Sequence, residues 1–188
     1  MRARTVTAAT VAALALTALA VPATMPGAPS GASAAELPRC AEKNLTVRAE
    51  PSDDSAGVLK LSVRNDSARA CLVDRVPTVT YGDLDGAALP LPTVPHAGRT
   101  LAAHTTVYAA VLSVSTEPKG GDEEARTVLS VNVAAVPDHD GRTFQALKLG
   151  APAGVRVWEP VTTLWQTSAD RAAQVLQEQT TGKGAIAA

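Results

Sequence analysis

Residues 61–73 read LSVRNDSARACLV. Leu61 and Val63 alternate with Ser62 and Arg64, and the alternation starts upstream with Leu59 against Lys60. That is the period-2 pattern of a half-buried strand. It stops at Asn65-Asp66-Ser67, whose short polar side chains bond nearby backbone and favour turns. Shortly afterwards stands Cys71, one of 2 cysteines in the chain; the other is Cys40. A strand broken by turn residues just before a cysteine points to short strands joined by turns, and raises the question of where that cysteine finds its partner.

The same signature recurs on both sides. NLTVRA (44–49) places Leu45 and Val47 on one face, and PSDDSAG (51–57) is a turn cluster. VPTVTYG (76–82) resumes a strand, and DLDG (83–86) closes it as a hairpin-type turn with Gly86 free to take positive φ. AALPLPTVPHAGRT (87–100) carries Pro90, Pro92 and Pro95. Proline has no ladder donor, so this segment predicts an edge strand or an extended crossing loop. HTTVYAAVLSVS (104–115) is the longest strand candidate, and TEPKGGDEEA (116–125) the longest polar loop. RTVLSVNVAAV (126–136) alternates again, PDHDG turns, and TFQALKL (143–149) and GVRVW (154–158) read as the last strands. SADRAAQVLQEQ (168–179) differs: it has no β-branched run, Ser168 suits an N-cap, and Asp170 falls in the first turn. The whole predicts an all-β antiparallel sandwich with a short C-terminal helix.

The N-terminus reads as a secretory signal peptide. MRAR supplies positive charge, an Ala- and Thr-rich uncharged run follows, and Ala32 and Ala34 flank Ser33 at the spacing a signal peptidase accepts. The predicted organisation is a leader at 1–34, a sandwich at 35–165, and a helix with a disordered tail at 166–188. Arg2 and Arg4 are not adjacent, so a twin-arginine route is not indicated. Pro38 and Arg39 before Cys40 do not make a lipobox. No second apolar run is long enough to span a bilayer. The location this predicts is extracellular or cell-wall associated.

With 17 basic and 18 acidic residues dispersed along the chain, no basic face is available for nucleic acid or an anionic membrane. Tyr81, Tyr108, Phe144, Trp158 and Trp165 are all the aromatic residues, too few for a stacking platform. Export favours a disulfide, and two cysteines allow one intramolecular pairing, Cys40–Cys71; the alternative, a metal-binding or nucleophilic thiol, is disfavoured because neither has a histidine or second cysteine at ligand spacing. Closing a loop of about 30 residues contributes roughly 3–4 kcal/mol. The two strands near these cysteines, paired antiparallel, are not expected to bring them together, so the first strand is expected to cross to the second turn.

These residues also resemble a known family. Cys40 precedes NLTV; VRNDSARAC carries Asn65, Ser67 and Cys71; VPTV carries Pro77 and Val79; DLDG ends on Gly86; and GVRVWEP stands near the end. The pattern resembles the actinobacterial secreted or lipoprotein domain of unknown function 4232 over roughly residues 40–160. The resemblance implies an immunoglobulin-like sandwich and an exported location, and it implies no activity. A further cysteine pair frequent near that family's C-terminal end is missing here.

Residues able to carry chemistry are sparse. His96 and His104 fit no compact metal motif, and Asp138-His139-Asp140 before Gly141 reads as an Asx-type turn. GGDEEA lacks the alternating oxygen ligands of a calcium loop, and no G-x-S-x-G elbow occurs. No catalytic set, metal or cofactor is predicted. Asn44 and Asn65 match the glycosylation pattern but read as strand and turn residues. Trp158 and Trp165 stand out in so aromatic-poor a chain: either they fill the core, or they form a partner-binding patch. The leading expectation is a non-enzymatic exported domain binding a protein or envelope component. The alternatives are a secreted protease inhibitor presenting loop 116–125, and an enzyme of unrecognised type.

Overall fold

The computed structural model describes residues 37–93, 98–114 and 124–181. β1 (Leu45–Pro51) and β2 (Val58–Asn65) form an antiparallel hairpin with Leu45 opposite Asn65 and Pro51 opposite Leu59. β2 also pairs antiparallel with β7 (Thr106–Leu112), and β7 with β12 (Val161–Thr163). β12 then pairs in parallel with β5 (Leu89–Leu91), giving a five-stranded sheet of order β1-β2-β7-β12-β5. The opposing layer is built from three smaller sheets. β4 (Thr78–Tyr81), β9 (Ser130–Ala134) and β10 (Arg142–Gln145) form one, in the order β10-β9-β4. β3 (Cys71–Asp74) with β6 (Gly98–Leu101), and β8 (Arg126–Val128) with β11 (Val155–Val157), form the others. This is the all-β sandwich that the strand pattern predicts.

Alternation explains the core. Leu59, Leu61 and Val63 of β2 point inward with Val107, Ala109 and Val111 of β7. They meet Val73, Val79, Val131 and Val133 from the other layer. Leu61 is almost fully buried, a burial that contributes roughly 1.5–3 kcal/mol. The opposite face of β7 is covered as well. Tyr108, Ala110 and Leu112 pack with Ala172 and Leu176 of helix α1 (Ala169–Thr180). Ala172, Val175 and Leu176 are the buried stripe of α1, at i, i+3 and i+4. Ser168 caps the helix, its side chain accepting from the Arg171 N–H at 3.2 Å. The short side chain of Ala110 suits a strand position that lies directly beneath a helix.

Several local readings need correction. A strand, β3, begins on Cys71 itself, in a stretch to which the sequence pattern assigned no element. Val161–Thr163 forms β12, beyond the last strand expected; all three residues are buried, so no alternation announced it. Gly86 takes φ +91°, yet DLDG is no hairpin: β4 pairs with β9 and β5 with β12, so this turn carries the chain between layers. Residues 126–136 split at Leu129 into β8 and β9, and residues 146–149 form a 3-10 turn instead of strand. The proline-rich segment contributes two short strands, β5 at the edge of the large sheet and β6 against β3. The expected leader at 1–34, nearly all of loop 116–125 and the end of the tail lie outside the described residues.

Cys40 and Cys71 are disulfide-bonded, with Cα atoms 4.9 Å apart. No crossing of the first strand is needed, contrary to expectation. Leu45 faces Asn65, so the start of β1 and the end of β2 lie side by side, and antiparallel pairing itself brings the flanking cysteines to one corner. Residues 38–40 then run along β3: the Cys40 N–H donates to Leu72 O and the Leu72 N–H to Pro38 O, each at 2.9 Å.

Candidate functional site

The turn at 65–67 is built on Asn65, which is fully buried. Its Nδ2 donates to the carbonyls of Arg69 at 2.8 Å and of Leu101 and Ala102 at 3.2 Å. Its Oδ1 accepts from the Ser67 N–H at 3.0 Å and the Ser67 hydroxyl at 2.7 Å. Nearly the full bonding capacity of the amide is used on the fold. No group at Asn65 is left to carry a glycan, and its role is to hold the turn before Cys71.

Trp158 follows β11, where Val155 and Val157 are buried and Arg156 is exposed. It shares the parity of Arg156 and is partly exposed, so one side of the ring turns outward, while its indole nitrogen is buried without a hydrogen-bond partner. The backbone around it is tightly held. The Trp158 N–H donates to Ser113 O at 2.9 Å, and Val114 bridges to Trp158 in parallel. Gly154 lets β11 approach β8: it has φ +104°, and a Cβ there would lie 2.3 Å from Thr127 Cγ2. Glu159, directly after the tryptophan, has φ +42°. A non-glycine side chain in the left-handed region costs about 1–2 kcal/mol, and such strain clusters at functional sites. Trp158 and Glu159 line a depression of about 270 Å³ with Leu84, Asp85 and Arg126. Tyr81 lies in its wall, and burial pushes the phenol well above its ordinary range, the nearby Ser113 hydroxyl pulling weakly the other way.

Trp165 is placed differently. It is 1 % exposed and belongs to the main core. Its N–H donates to Arg75 O at 2.9 Å, and its carbonyl accepts from Arg99 Nη1. It staples the segment between β12 and α1 to the β3–β6 pair, and its ring is not on the surface. The structure therefore does not join the two tryptophans into one patch: Trp158 has a face toward solvent and Trp165 has none. Arg75 and Arg99, which hold the Trp165 backbone, carry no motif in the sequence. Only the β3–β6 pairing brings them near each other.

His139 sits in a turn, its N–H donating to Val136 O at 3.0 Å, and His104 has φ +57°; His96 lies outside the described residues. Among the described residues, no three His, Cys, Asp or Glu side chains gather as a metal site would need. No helix among them is long and apolar enough to cross a membrane.

A two-layer β domain with a disulfide at its N-terminal corner and a partly exposed tryptophan near its end defines the class. The chain belongs to the family described as "Domain of unknown function (DUF4232)", whose model matches residues 40–166. The match starts on Cys40 and includes Asn65, Cys71, Trp158 and Trp165; helix α1 follows it. No curated protein and no solved structure matches the chain significantly.

Proposed function

We propose that this protein is an exported, non-enzymatic β-sandwich that binds another protein or a cell-envelope component through the surface around Trp158. The observation that carries the reading is the pairing of a partly exposed tryptophan with a strained, rigid backbone at Glu159 beside an open depression. Tryptophan contributes large contact area at little entropic cost and dominates many interfaces. A backbone already fixed loses little further freedom on binding. The disulfide and the predicted leader support export, since disulfides persist in oxidising compartments. Among the described residues no three His, Cys, Asp or Glu side chains gather as a metal site would need, and the reading rests on the tryptophan surface rather than on a reaction.

The test is capture from culture supernatant and cell-wall extract by the immobilised protein, with Trp158→Ala in parallel. A partner retained by the wild type and weakened at least about tenfold by the substitution supports the reading. Equal capture by both proteins rejects the Trp158 surface.

A further inference from the structure

Arg75 and Arg99 stand together at one end of the β3–β6 pair. Arg99 faces Val73, Gly98 faces Asp74, and Arg75 directly follows β3. Both arginines line a depression of about 400 Å³ with Gly98, Leu164, Trp165 and Gln166. Among the described residues that line it there is no carboxylate. Asp74, the nearest acidic residue in sequence, is buried and pairs with Arg39. Among the described residues, neither Arg75 nor Arg99 forms an ion pair.

The two guanidinium groups are close enough to oppose each other. Partial burial lowers the proton affinity of Arg99, and the charge of Arg75 lowers it further. Arg99 spends one N–H on the Trp165 carbonyl, and a guanidinium has five in a fixed fork. Trp165 lines the same depression, and its buried indole N–H has no acceptor. Two like charges lining one depression, with donors left over and no counter-charge among the described residues that line it, are an unfavourable arrangement that an anion relieves. The effect is local, because the chain as a whole carries a formal net charge of −1.

We infer that this depression binds an oxyanion, a carboxylate or a phosphate group, bridged between Arg75 and Arg99. The planar forks of two arginines match either group bidentately. No lining residue is shared with the depression at Trp158, so the two proposals fail independently.

The experiment is NMR on the purified ¹⁵N-labelled protein. The chain has 2 tryptophans, so Trp158→Phe identifies the Trp165 indole resonance. Sodium phosphate and sodium acetate are titrated separately, with sodium chloride holding ionic strength constant. The expected result is a saturable shift of the Trp165 indole N–H and of Arg99 Nε. Saturation by phosphate alone, by acetate alone or by both supports the site and names its source. Arg75→Ala should weaken it at least about tenfold, the share of one charge-assisted contact. Arg75 holds Trp165 through its backbone carbonyl, so this variant keeps the fold. Exposed Arg48, on β1, serves as the control, and Arg48→Ala should change nothing. Shifts that only track the chloride control, or an unchanged titration in Arg75→Ala, overturn the proposal.

Discussion

Asn65 donates through Nδ2 to the carbonyl of Leu101 at 3.2 Å, joining the end of β2 to the end of β6. One side chain thus ties the five-stranded sheet to the β3–β6 pair at the corner where Cys71 enters β3. Replacing it by alanine strands the carbonyls of Arg69, Leu101 and Ala102 and frees Ser67. The expected loss is roughly 2–4 kcal/mol in urea denaturation. Asn65→Asp should be worse at neutral pH, because a carboxylate brings only acceptors to three carbonyls. A loss under about 1 kcal/mol for the alanine variant removes Asn65 from this role.

The disulfide acts at the same corner by a different route. Cys40–Cys71 closes a loop with a sequence separation of 31, and residues 38–40 already bond to β3. Cys71→Ser should lower stability by about 2–5 kcal/mol while the folded state keeps its strand content. Circular dichroism and chemical denaturation read the two quantities separately. Two free thiols titrating in the unfolded, non-reduced protein contradict the bond.

How much of this was legible in sequence depends on how many faces of each element are covered. β2 faces the core on one side only, so Leu59, Leu61 and Val63 announced it. Helix α1 was legible from its start, where Ser168 suits an N-cap and Asp170 falls in the first turn. β12 is buried at every position, and Val161-Thr162-Thr163 therefore shows no period. β5 is short and pairs in parallel with a strand far along the chain, which no local pattern encodes. The cysteine pairing was legible by arithmetic, but its geometry was misjudged until the register placed Leu45 opposite Asn65. At the candidate site, the parity of Trp158 with Arg156 was readable. The burial of Trp165 was not, because it depends on the carbonyl of Arg75 and the guanidinium of Arg99.

The two tryptophans should separate cleanly by mutation. Trp165→Ala empties the largest fully buried side chain of the core, and should cost about 3–5 kcal/mol with a large fall in melting temperature. Trp158→Ala removes a partly exposed residue and should cost clearly less. Paired thermal melts decide it. If Trp165→Ala leaves the melting temperature nearly unchanged, its role as a staple is wrong.

The alkaline limit should belong in part to Tyr81. Tyr81 is 2 % exposed, its hydroxyl lies near that of Ser113 without a formed hydrogen bond, and burial holds its folded-state pKa well above the ordinary value of about 10. The unfolded chain then loses its proton first as pH rises. Above about pH 10 the unfolded state binds fewer protons than the native state, and unfolding free energy falls with pH. Below that pH both states are protonated and Tyr81 adds no slope. Tyr81→Phe removes an unsatisfied hydroxyl with little change of shape, so stability at pH 7 should be unchanged or slightly higher. The variant should also lose stability less steeply than the wild type between about pH 10 and pH 12. Denaturation at a series of alkaline pH values measures the two slopes. Equal slopes mean that Tyr81 ionises as freely in the folded protein as in the unfolded chain, and that the burial of its hydroxyl carries no electrostatic penalty.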